Sequence, residues 1–140
     1  MNAAASCPQP VKDNMKIIRS KDLQFIPANH EDPNNPGVLK RVLFRKDDLI
    51  KGRIQMINWA KLLTGRSFEK HYHEDMLEVF IILNGKVKII VDNEEDYLEK
   101  GDAVLIPVKA VHQMINKSQE DIDYIALGIS TNDSGKTVKA

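Results

Sequence analysis

Between positions 38 and 130 the apolar residues fall in short runs, β-branched or aromatic in character, with Gly, Pro, Asn and Asp between them. Val38 to Phe44, Arg53 to Leu63, Glu78 to Leu83, Lys86 to Val91, Ala103 to Ile106, His112 to Asn116 and Ile122 to Ser130 read as strands. This spacing predicts an all-β sandwich or barrel with little helix. The flanking stretches, 1–14 and 131–140, are polar and lack apolar periodicity. They read as flexible N-terminal and C-terminal tails around one domain at 15–130.

Asn84-Gly85 is a strong hairpin signal, because both central residues of a type I′ turn need positive φ. A hairpin there sets Leu83 opposite Lys86, and pairs Glu78 with Val91, Phe80 with Ile89 and Ile82 with Val87. Side chains alternate, so one face carries Glu78, Phe80, Ile82, Val87, Ile89 and Val91, a carboxylate at the rim of an apolar wall. The other face carries Val79, Ile81, Leu83 and Ile90. A strand apolar on both faces is buried on both, which calls for a second sheet or a second subunit outside it. Pro33 to Gly37, just after His30 and Glu31, reads as a connecting loop, with a lid over a site as the alternative.

Composition narrows the class. A chain of 140 residues buries roughly 70% of the surface its unfolded form exposes and needs no disulfide. The single cysteine, Cys7, lies in the leader segment and cannot form an internal bridge. Twenty acidic residues balance twenty basic ones, so no overall field draws nucleic acid or an anionic membrane surface. No apolar run reaches membrane-helix length. Together these features read as a soluble cytoplasmic protein whose partners are small molecules.

Three of the four histidines fall close together, as His71-Tyr72-His73 and then His112, with Glu78 between them. Imidazole nitrogens with one carboxylate suit a divalent first-row transition metal and leave coordination positions open. His71 and His73 are two residues apart, so on a strand they share a face, roughly 6–7 Å apart at Cα. Glu78 follows His73 at an odd offset, so the chain must turn between them, and Glu74-Asp75 supplies the break. His112 must arrive from a separate strand. His30 lies outside this pattern and reads as a structural histidine.

The spacing of these residues resembles the two motifs of the cupin superfamily. The first appears as Gly65, five residues, His71-x-His73, four residues, Glu78, six residues, Gly85. The second appears as Gly101, five residues, Pro107, His112 and then Asn116, with Lys109 where the motif usually has a second glycine. Only the 15 residues Lys86 to Lys100 lie between the motifs, as in small single-domain cupins.

The resemblance implies a jelly-roll β-barrel of two packed antiparallel sheets, one divalent metal (Fe, Mn, Ni or Zn) on His71, His73, Glu78 and His112, and a homodimer. It points to a dioxygenase-type oxidoreductase acting on a small organic acid or enol at this 3-His/1-Glu centre. The alternatives are a sugar- or carboxylate-binding sensor module, or a metal-dependent isomerase or lyase. Particular subgroups fit less well. Phe80 stands where certain small cupin lyases carry a tyrosine, and no residue is an obvious counterpart of the extra acid of oxalate-acting cupins. Tyr72, Gln55 and Tyr124 are the candidate catalytic groups, with Asn58 and Asn116 as further polar ones. Gln55 and Asn58 differ by an odd offset, so a regular strand points only one of them inward.

Overall fold

The structure, a computed structural model, describes residues 16–131 and 136–140. Eleven strands are assigned among them: β1 (Ile26–Pro27), β2 (Val38–Arg45), β3 (Ile54–Leu62), β4 (His71–His73), β5 (Met76–Ile82), β6 (Lys86–Val91), β7 (Glu94–Glu99), β8 (Ala103–Ile106), β9 (His112–Ile115), β10 (Ile122–Ser130) and β11 (Thr137–Lys139). Six form one antiparallel sheet in the order β1-β2-β3-β10-β5-β8, and five form the other, β11-β4-β9-β6-β7. This is the all-β, two-sheet architecture expected from the strand pattern. No helix among the described residues is long and apolar enough to cross a membrane.

The period-2 pattern decides the inner faces. On β5, Met76, Glu78, Phe80 and Ile82 are buried while the residues between them are half-buried, and β10 repeats this from Ile122 to Ser130. Val87 and Ile89 of β6 and Met114 of β9 fill the core from the opposite sheet. The inner-facing residues expected at Asn84-Gly85 are therefore inside.

Their expected pairing is not formed. β5 pairs with β10 and β8, placing Glu78 opposite Gly128 and Ile106. β6 pairs with β7 and β9. Asn84-Gly85 is thus a crossing between sheets. Only Gly85 has positive φ, +71°, where a type I′ turn needs two such residues. The Asn84 side chain explains the crossing: its Nδ2 donates to the Asp121 carbonyl (2.9 Å) and its Oδ1 accepts from Asp123 N (2.7 Å). These bonds tie the corner to the start of β10. A Cβ on Gly85 would stand 2.4 Å from Ile122 Cδ1 and displace that side-chain tip, and the positive φ is the stronger reason for glycine.

Three segments outside the sequence pattern are strands, the two-residue β1 being the shortest. β7 is charged (Glu94, Glu95, Asp96, Glu99) and lies at the edge of its sheet, where charge discourages pairing with another chain and hides the usual strand signature. β11 falls in the segment read as a flexible C-terminal tail, yet Thr137–Lys139 pairs with β4, Thr137 opposite His73. Three residues with one apolar side chain are too few to signal a strand locally, and the partner lies over 60 residues away in sequence. The N-terminal tail at 1–14, with Cys7, lies outside the described residues.

Candidate metal centre

The two sheets bring the four residues to one point. His71 and His73 project from the same face of β4, and His112 lies opposite His71 on the neighbouring β9. Glu78 comes from β5 in the facing sheet. All four are buried, and one ligand atom from each lies within 4.8 Å of the others.

Outer partners orient the imidazoles. Backbone carbonyls of Glu69 and Ala110 accept from Nδ1 of His71 and His112, and Thr137 Oγ1 lies 3.0 Å from His73 Nδ1. A carbonyl can only accept, so these contacts put a proton on Nδ1 of His71 and His112 and leave Nε2 to face the centre. Glu78 Oε1 then lies 2.8 Å from His73 Nε2 and 3.1 Å from His112 Nε2. For His112 this approach is unfavourable unless a proton or a metal ion lies between Nε2 and the carboxylate oxygen. A metal ion meets that condition at all four donors, and the residues present fit one.

Charge states agree. Burial lowers the His71 pKa to about 3, and the neighbouring His30 and His112 push in the same direction. Its imidazole is therefore neutral and free to donate its lone pair. Burial opposes ionisation of Glu78, but the bonds to His112 and His73 outweigh it and hold the carboxyl well below its ordinary range.

His73 and Glu78 also line a cavity of about 480 Å³. Its wall places the remaining candidates. Tyr124 and Gln55 reach it, whereas Tyr72 does not, because it alternates to the outer side of β4. Burial raises the Tyr124 hydroxyl above its usual range, with Glu78 and Glu31 adding to the effect, so it stays protonated. Gln55 and Asn58 both line the cavity. The β3–β10 register shifts between Gly128 and Ile129, opposite this part of β3, so strict alternation fails there. Asn58 Oδ1 is buried with no hydrogen-bond partner among the described residues. Asn116 is structural: its Nδ2 donates to the Leu62, Leu63 and Glu120 carbonyls, at 3.1, 3.3 and 2.8 Å.

His30 is the residue sequence reasoning passed over. It stacks on His71 with ring centroids 4.4 Å apart, lines the cavity, and places Nδ1 2.9 Å from Glu31 Oε2. Its one local signal was the adjacent glutamate. Glu31 also accepts from Gly37 N (2.6 Å) and Glu69 N (2.7 Å), so the 30–37 loop is a pinned connection.

Burial alone would raise the Glu31 pKa, but His30 and the two backbone amides overcome it and bring it to about 2. A depressed carboxylate stabilises the fold fully above its unfolded pKa, near 4.5, and loses that contribution as pH falls toward 2. Over this window the native protein should lose about 3 kcal/mol through Glu31. In Glu31→Gln, urea denaturation at matched metal content should show a flatter stability profile between these limits. Parallel profiles for the two proteins would show that Glu31 has no such role.

Comparison with known proteins agrees with this arrangement. Residues 58–128 match the sequence profile of the family described as Cupin domain. The Methanocaldococcus jannaschii protein MJ1618 is 30% identical over 102 residues, which cover 73% of this chain and 78% of that protein. A predicted oxalate decarboxylase from Thermotoga maritima superposes with a TM-score of 0.73 at 21% identity, covering 82% of this chain and 99% of the other. A sugar phosphate isomerase of the cupin superfamily from Silicibacter pomeroyi gives 0.70 at 17% identity, covering 89% of this chain and 82% of its own. Similarity at these identities speaks to fold alone. With the sequence profile spanning half its length and the motif residues gathered between its two sheets, the chain belongs to the cupin family.

Proposed function

We propose that the protein is a metal-dependent enzyme, a dioxygenase-type oxidoreductase, acting on a small organic acid or enol. The supporting observation is the buried donor set of His71, His73, Glu78 and His112, with two of the four opening onto a cavity of substrate size. A divalent transition ion held there supplies a Lewis-acid centre of net charge near +1, suited to an anionic or enolisable oxygen and to redox chemistry with dioxygen. The protein's own groups do the rest. Met76, Phe80 and Ala126 on the wall exclude water. Asn58 Oδ1 accepts from a substrate hydroxyl, and the protonated Tyr124 hydroxyl donates to a substrate oxygen.

His30, oriented by Glu31 at the cavity wall, favours a second reading as an isomerase or lyase that moves a proton. One experiment separates the two. The metal-loaded protein is incubated with 2-oxo, 2-hydroxy and enolisable carboxylic acids while oxygen uptake and substrate proton signals are followed. The dioxygenase reading expects oxygen uptake matched to substrate loss. Substrate loss without uptake points to the isomerase or lyase, and binding without consumption eliminates the enzyme reading in favour of a binding module.

We also propose that two copies associate through the outer face of the six-stranded sheet. There Val79 lies opposite Leu127 and Leu105, and Ile81 opposite Ile125. Leu105 is 58% exposed, on a strip that a second copy would cover. Light scattering at micromolar concentration should return twice the monomer mass, and Leu105→Glu should shift it toward the monomer. A wild-type monomer under these conditions removes the proposal.

A further inference from the structure

Strand β2 carries an irregularity that the metal centre does not explain. Its ladder with β3 pairs Val38 with Leu62, Lys40 with Ala60 and Val42 with Asn58. The register then slips between Val42 and Phe44, so that Phe44 meets Ile57 and Arg45 meets Met56. Opposed residues share a face, so the inward set runs Val38, Lys40, Val42 and then Arg45. An uninterrupted strand would have turned Phe44 inward. The bulge replaces an aromatic ring with a guanidinium, and both Lys40 and Arg45 line the same cavity as His73 and Glu78.

These two cations are only partly balanced from within the protein: the carboxylate of Asp48 feels the charge of Arg45. Among the described residues no carboxylate forms an ion pair with Lys40 or Arg45, whereas Lys61 pairs with Asp123 at 2.9 Å and Lys88 with Glu95 at 3.2 Å. Lys40 Nζ donates to Asn29 Oδ1 at 3.0 Å, which uses one of its three donors. Among the described residues Glu78 is the one carboxylate on the cavity wall, and it lies against His73 and His112. Burial, and then the charge of Arg45, lower the Lys40 pKa. Two like charges held beside one cavity destabilise each other, and an anion between them would relieve both.

We infer that Lys40 and Arg45 form an anion-recognition site on the β2 wall of the cavity, three strands across the sheet from the β5 strand that carries Glu78, so that the ligand carries a second acidic group, a carboxylate or a phosphate, besides the oxygens it presents to the metal. The inference rests on the proposed metal centre for the ligand's head and on the bulged strand for its tail. Substrates with one acidic group and an apolar end are then disfavoured.

Three probes with the same 2-oxo-acid head test this by calorimetry on the metal-loaded full chain. They are 2-oxoglutarate, 2-oxo-4-phosphonobutanoate and 2-oxohexanoate, with carboxylate, phosphonate and apolar tails. At least one charged-tail probe should bind roughly ten- to a hundredfold more tightly than 2-oxohexanoate, the effect of a hydrogen-bonded charge. The tighter of the two identifies the group. The advantage should disappear in Lys40→Met with Arg45→Met and shrink with added salt. Equal binding of all three probes to the wild type overturns the inference, as does an advantage that survives the double substitution.

2-Oxohexanoate has the head alone, so it reports the metal centre separately. If none of the three binds, the head reading fails, and the metal-free full chain is titrated with inorganic phosphate. Binding weakened about tenfold or more by the double substitution then sustains the anion site, and the same affinity in both proteins overturns it.

Discussion

Glu78→Ala should leave the protein folded and without its divalent metal. Glu78 is the sole carboxylate in the donor set and the only member from the six-stranded sheet. Without it the site is three imidazoles on one sheet, open toward the cavity and with no charge to offset a dication. Losing an outer partner of a ligand already costs about 10–100-fold in metal affinity, and loss of a ligand with its charge should cost more. The fold should survive, because the variant removes a buried anion and leaves histidines that can be neutral, His71 already being so. Glu78→Gln separates charge from shape: it keeps the side-chain volume and should still lose most of the metal. Elemental analysis after dialysis, with circular dichroism as the check on folding, reads both variants, and His73→Ala should behave alike. Unaltered metal content in Glu78→Ala and His73→Ala would eliminate the assignment of this centre.

Phe68→Ala should be among the most damaging single changes in the core. Phe68 is 1% exposed and packs against four rings at once. The centroids of His71 and His30 lie 5.3 Å away, His112 5.9 Å and Phe80 6.2 Å. Truncating such a ring costs about 3–5 kcal/mol from lost burial and the cavity left behind. For a domain of this size that lowers Tm by on the order of 10–20 °C. The damage should reach the metal as well, because two of the four rings are candidate ligands that Phe68 holds in place. A further fall in metal affinity of about 10–100-fold is expected, comparable to losing an outer partner. Phe68→Leu should recover most of the stability and less of the affinity, since it restores volume without the planar edge. A loss below about 1 kcal/mol in Phe68→Ala would show that the rings keep their positions without it.

Much of the centre was legible before folding was considered. The two-residue spacing of His71 and His73, the polar break at Glu74-Asp75 and the distance to His112 imply a shared face, a turn and a third strand, and the structure has all three. His30 was not legible. Its place beside His71 comes from a loop pinned by Glu31 to amides at positions 37 and 69, and no local pattern encodes those contacts. Thr137 is similar: its bond to His73 Nδ1 depends on a strand that only the barrel edge stabilises. Asn116 shows the reverse, a motif residue that looked available to a ligand and serves instead to bind three backbone carbonyls.

By itself the sequence determined which residues face the core. Alternation is a property of each strand and holds whichever strand lies alongside. Phe80, Ile82, Val87 and Ile89 are therefore inside although their expected hairpin does not exist. Only the tertiary structure decided which strand lies beside which, because pairing is a competition among distant segments. The Asn84 side chain and the long β10 strand settle it against the local turn. The same competition produced the register slip on β2, which turns Arg45 rather than Phe44 toward the cavity. A bulge arises from two strands meeting with unequal residue counts, so no single strand's pattern could have shown it.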